Sequence, residues 1–370
     1  MLMARYSMNT NSNLNTPNSS NPIAPSPQAD RGLLSGRFGG GFPFRFGGGF
    51  GGGFCLACLA FAVAAFTSCI DEDLSKCGVN YAVNYAVHRS VDLKAEVADV
   101  FYSAGEQGIA AHVEGELGGV FSGVAHDLDL SFFVEGRRSH WQSTVIDASS
   151  ASLTYYLKQA DYRHLTLSGA ADEAAVAVEG RDGEDALAVS GVIEHDTVDS
   201  HRRAIYSARM DMPVEGRTGT FRSDLYMVNS AVAVVLGSAA QPESVTGCVD
   251  GMASGFAVND SLYSFDRKAA VRMWTTRYDA YHCLYAVAMP SRDAAAGDAA
   301  DGIWQVKVYV SMAGKITESV LHISEPLPAG GVKIIKGVIK DDGSVTTESP
   351  EVGVSVTLDW KPGGSHDVEM

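Results

Sequence analysis

From residue 79 onward the chain alternates. Val79, Tyr81, Val83, Tyr85 and Val87 are apolar at every second position, with Asn80, Ala82, Asn84 and His88 between or after them. A period of two predicts a half-buried strand. From Leu93 the apolar positions move to steps of four, at Val97 and Phe101 and then at Ile109, Val113, Leu117 and Phe121. That spacing predicts helix, broken near Gly105 and Gly108. Period two returns in "HDLDLSFFVE", where Leu128, Leu130, Phe132 and Val134 share a face, and in the short segments "SLTYYLK" and "DYRHLTLSG".

A Gly- and acid-rich stretch, Glu179 to Glu184, precedes a second set of alternating segments. These are "TFRSDLYMV", "HCLYAVAMP", "IWQVKVYVS", "ITESVLHIS", "VKIIKGVIK" and "GVSVTLDW", with "AGDAADG" and "KDDGS" supplying turn residues. Many short strands at close spacing predict β-sandwiches or barrels rather than a doubly wound sheet. Proline and glycine in "MDMPVEGRTG", Met210 to Gly219, mark the expected domain boundary. The expected organisation is a leader over 1–68, a tether over 69–78, an N-terminal β-sandwich over 79–211 with a short helical insertion, and a C-terminal β-sandwich over 212–370.

The first 68 residues are of a different kind. Met1 to Asp30 is rich in Asn, Ser and Pro and has little to bury. "GRFGGGFPFRFGGGFGGGF", Gly36 to Phe54, holds no Gly-Lys-Ser or Gly-Lys-Thr and so no phosphate-cradling loop. "FCLACLAFAVAAF", Phe54 to Phe66, is an uncharged run of 13 residues. A spanning helix needs about 20. The run fits the apolar core of a secretory signal, with Arg37 and Arg45 as the positive region before it.

"FTSC", Phe66 to Cys69, looks like a bacterial lipobox, with small residues at the two positions before a cysteine. By that likeness the chain is cut before Cys69 and its thiol carries lipid, which anchors it firmly. Asp71, Glu72 and Asp73 then begin an exposed acidic tether. Over the whole chain of 370 residues the formal net charge is −16. A charge of that sign repels a phosphate backbone, so nucleic acid is not an expected partner. Contact with a membrane is expected through the lipid alone.

Several segments coincide with one family. The lipobox cysteine followed by "EDLSKCG", the Tyr-rich strand, "DYRHL" at mid-domain and the terminal "VGVSVTLDWKPG" together resemble the FimB-type fimbrial lipoproteins of Bacteroidales, within the wider fimbrillin group. The resemblance implies two tandem transthyretin-like β-sandwiches and a non-enzymatic role: an outer-membrane lipoprotein, lipidated at Cys69, that anchors or helps assemble adhesive surface fimbriae. Its implied partners are fimbrial shaft subunits. Gly78 departs from the proline that often follows the second cysteine, and the leader is long. Subunits of this kind join by adding a strand to a neighbour's sheet edge. Val352, Val354, Val356, Leu358 and Trp360 are the candidate residues for such an addition, although the same segment could simply complete its own sandwich.

The search for chemistry ends in bland readings. Glu194, His195, Asp196, Asp199 and His201 form the densest polar cluster, but their spacing matches no metal-ligating helix and suits a solvated loop. No nucleophile elbow, carboxylate pair or cofactor fingerprint is present, so no enzyme, metal or cofactor is expected beyond the covalent lipid. Cys248 and Cys283 lie in strand-like segments and could bridge in an oxidising envelope. Cys77 reads as a free or packing residue. The alternative function is a surface glycan-binding lipoprotein, for which Trp141, Trp274, Trp304 and Trp360 are the aromatic candidates. Of these, Trp304 and Trp360 alternate with aliphatics and read as core.

Overall fold

The computed structural model describes residues 77–358, except 90, 147–149, 169–175, 192–196, 268–269 and 294–301. Residues 70–370 form one compact unit. Among the described residues are two α-helices and four sheets. A seven-stranded sheet has the order β3 (Arg137–Ile146), β2 (Ala125–Val134), β5 (Ala160–Leu167), β9 (Tyr206–Val214), β10 (Gly219–Met227), β1 (Val79–His88), β4 (Ser150–Leu157). A five-stranded sheet runs β16 (Trp274–Tyr278), β17 (Tyr281–Ala288), β11 (Ser230–Ser238), β20 (Val332–Ile339), β21 (Val345–Thr347). A six-stranded sheet runs β22 (Val352–Thr357), β19 (Lys315–Ile323), β18 (Trp304–Met312), β12 (Ser244–Asp250), β15 (Ala270–Arg272), β8 (Thr197–Asp199). The smallest sheet runs β14 (Leu262–Ser264), β13 (Gly255–Ala257), β7 (Leu187–Ser190), β6 (Val176–Glu179).

The seven-stranded sheet folds over on itself to make the first sandwich. Between β9 and β10 the ladder holds at Tyr226↔Ser207 and Met227↔Tyr206, which makes a corner. Beyond that corner the two halves face each other: the rings of Phe132 on β2 and Tyr155 on β4 are 4.7 Å apart. The second sandwich stacks the five-stranded sheet on the six-stranded one around Val232, Val234, Val249, Trp304, Val306 and Leu321. Both sandwiches share one strand plan. In the first, β1 pairs parallel with β10 and antiparallel with β4. In the second, β11 pairs parallel with β20 and antiparallel with β17. The expected fold class, an all-β pair of tandem sandwiches with a helical insertion in the first, is the observed one.

The helices lie where the periodicity placed them. α1 spans Leu93–Val100, with Asp92 as N-cap accepting from the Lys94 amide at 3.1 Å. A turn of 3-10 helix at Ala104–Glu106 makes the break expected at Gly105, whereas Gly108, the other expected break point, lies within α2, which spans Gln107–Gly118. Ile109, Val113 and Leu117 are fully buried on one face of α2. They share an apolar cluster with the first sandwich and with Ala231, Ala233, Val235 and Tyr285 of the five-stranded sheet. The helices thus join the two sandwiches. Glu106 pairs with Lys336 of β20, and the Trp274 indole N–H donates to Glu116 at 3.2 Å.

The expected division at 211/212 falls inside β9, and the first sandwich keeps taking strands up to Met227. Segments also cross between the two halves. β8 joins the far edge of the six-stranded sheet, parallel to β15. β13 and β14 join β6 and β7 to form a small sheet lying over the outer face of β2 and β5. For that reason Phe133, on the supposedly polar side of β2, is as buried as Phe132.

Asn229 ties the crossing together. Its side-chain carbonyl accepts from the Ile205 amide at 3.0 Å, and its amide nitrogen donates to Arg203 O at 2.8 Å and lies 3.3 Å from His201 Nδ1. With Nδ1 accepting, Nε2 carries the proton toward Ser190 Oγ at 2.8 Å. His164, the other fully buried histidine, has Nδ1 on Ser131 O at 3.0 Å and Nε2 on the Tyr85 hydroxyl at 2.7 Å. Burial lowers both pKa values to about 4. A depressed histidine pKa means that the unfolded chain takes up protons first, so stability is full above about pH 6.5 and is lost as pH falls toward 4. Unfolding free energies from denaturant titrations at pH 7.5, 6 and 4.5 should therefore fall by about several kcal/mol in total, and His201→Gln should flatten part of that slope. Leu117→Ala should cost about 2–5 kcal/mol in the same assay.

Candidate functional site

The last described strand carries the most distinctive surface. β22 pairs antiparallel with β19, placing Val352 opposite Ile323, Val354 opposite Leu321 and Val356 opposite Ser319. Directly opposed residues share a face, so the three valines point the same way as the core residues Leu321 and Ile323. Their exposure nevertheless climbs along the strand. Val352 is 6% exposed, Val354 37%, Val356 44% and Leu358 60%. The cause is the sheet opposite, which ends at the three-residue strand β21 and runs out before β22 does. Among the described residues, this inward-facing apolar row has no cover.

The free side of β22 has no strand partner among the described residues. Natural edges are guarded by charge, proline or bulges. Val352 to Leu358 contains none of these residues, whereas β3, at one end of the seven-stranded sheet, begins with Arg137 and Arg138 and carries a bulge. β4, at the other end, is also uncharged; its Tyr155 and Leu157 are buried, while Tyr156 between them is exposed. On the opposite face of β22, Ser355 Oγ lies 2.9 Å from His322 Nε2.

The other expected residues are placed as follows. Cys69, Asp71, Glu72, Asp73 and Trp360 lie outside the described residues, as do Glu194, His195 and Asp196. Asp199 pairs with Arg272 at 3.0 Å, and His201 sits in the buried Asn229 network, so neither is turned toward a shared ligand. Among the described residues no three His, Cys, Asp or Glu side chains group as a metal site. Nor is any described helix long and apolar enough to cross a membrane. Cys248 and Cys283 are both free thiols. Cys283 belongs to the cluster around the helices, while Cys248 pairs with Arg272 and Lys307 in the six-stranded sheet, so a full layer separates them. Burial pushes both thiols up to about 11. Trp304 is core, as its alternation implied, and its indole N–H donates to Glu325 O at 2.9 Å. Trp274 stacks on Tyr285, and Trp141 stands half in solvent.

No family model and no curated protein matches the chain. Solved structures similar to it include a candidate adhesin from Bacteroides ovatus, with a TM-score of 0.45 and 9% identity over 76% of this chain and 96% of that one. A candidate polysaccharide-binding protein from Bacteroides thetaiotaomicron gives 0.44 and 10%, over 75% of this chain and 98% of that one. The fimbrial anchor protein Mfa2 from Porphyromonas gingivalis gives 0.43 and 10%, over 76% and 99%. The architecture described above stands on its own strand pairings.

Proposed function

We propose that this chain is a non-enzymatic cell-surface lipoprotein, held in the outer membrane by lipid on Cys69, that anchors or helps assemble adhesive fimbriae. The observation that carries the proposal is β22, an uncharged strand that, among the described residues, is at a sheet edge with its inward apolar row uncovered. A fimbrial subunit strand laid along that edge would satisfy the free main-chain groups, and alternate side chains would read Val354, Val356 and Leu358. The lipobox-like "FTSC" and the acidic run Asp71 to Asp73 support the membrane-proximal role.

Two measurements test separate parts of this reading. Mass spectrometry of the mature N-terminus should find acylated Cys69 in the outer-membrane fraction, with Cys69→Ala protein released to the medium. An unmodified N-terminus further along the chain would sink the anchor. Val354→Lys with Val356→Lys should change stability by no more than about 1 kcal/mol, because both side chains are exposed. The pair should nonetheless abolish co-purification of shaft subunits. Unchanged co-purification would remove β22 from the proposal.

A further inference from the structure

Trp141 belongs to none of the buried apolar clusters, and half of its surface is in solvent. Core packing therefore does not account for it. It sits on β3 opposite Ser131, two pairs along from Ser143 opposite Asp129, so its indole shares a face with Ser131 and Asp129. The Arg138 guanidinium lies 5.8 Å from the centre of the ring and is held in an ion pair with Asp182. Asp129 is 9% exposed; its Oδ1 accepts from Ser131 Oγ at 2.7 Å, and its Oδ2 lies 3.5 Å from Arg181 Nε. Asp129, Ser131 and Arg181 line, with Phe133, Leu165 and Val258, a water-sized cavity of about 30 Å³ whose lining does not include Trp141.

A half-exposed indole with a guanidinium over one face, and the exposed carboxylate of Asp182 paired to that guanidinium, has the chemistry that recognises a pyranose. The sugar's C–H face stacks on the indole, while its rim of hydroxyls meets fixed donors and acceptors. The charges come in opposed pairs, Arg138 with Asp182 and Arg181 with Asp129. A neutral site of this kind favours a neutral sugar over a uronate. We infer that Trp141 is the platform of a binding site for a neutral hexopyranose unit of a surface polysaccharide. This goes beyond the fimbrial role and does not depend on β22.

Affinity electrophoresis tests it with the full chain, in native gels containing mannan, xylan or dextran, and with alginate as an acidic control. At least one neutral polysaccharide should retard the wild type. Trp141→Ala, an exposed substitution, should weaken that retardation about tenfold, while Trp141→Phe should retain part of it. The Val354→Lys, Val356→Lys double variant should be retarded like the wild type. No retardation in any neutral gel would overturn the inference, as would retardation in alginate alone or equal retardation of Trp141→Ala. Loss of a protein partner in Trp141→Ala without any loss of polysaccharide would make the surface a protein interface and overturn it equally.

Discussion

The centre of the five-stranded sheet is buried on both faces, and the rest of the molecule is arranged around that constraint. Its central strand β11 is buried without interruption from Ser230 to Leu236. Val232, Val234 and Leu236 face the six-stranded sheet, while Ala231, Ala233 and Val235 face the helices. A sheet with no solvent side must be apolar at both alternations, and small alanines on one of them let a helical layer approach closely. α1 and α2 therefore serve both sandwiches at once. The two halves fold as one compact unit because neither could cover this sheet alone.

The same constraint explains what could be read from the sequence and what could not. α1, α2 and the break between them were legible because one helical face is apolar and glycines interrupt it. Strands with one wet face, such as β1, β10 and β18, were legible by alternation. β11 was passed over, since "AVAVVL" has no alternation to find. The division at 211/212 failed for another reason. Proline and glycine near Met210 mark the turn that joins β9 to β10, and a turn inside one sandwich looks locally like a boundary between two. The crossing of β8 and of β13–β14 depends on pairings between residues some seventy apart, which no local pattern records.

The candidate strand was found by its alternation, but what makes it a site was invisible there. Val352 to Leu358 has the pattern of any core strand, and its exposure follows from the shortness of the sheet facing it. The polar cluster near His201 misled in the opposite direction. His201 is neutral and buried, tied to Asn229 and Ser190, and its role is to hold the crossing point of the chain.

Both sandwiches pair their first strand in parallel with a late one, β1 with β10 over Tyr81↔Gly219 to His88↔Tyr226, and β11 with β20 over Ala231↔Val332 to Ser238↔Ile339. Tension along the chain enters such a pair at the start of one strand and leaves at the end of the other. It drags the strands lengthwise, so the rungs of the ladder share the load instead of parting one by one. The first sandwich, which the chain enters at β1 and leaves at β10, is therefore built as a shear joint, oriented to bear a pull between its two ends.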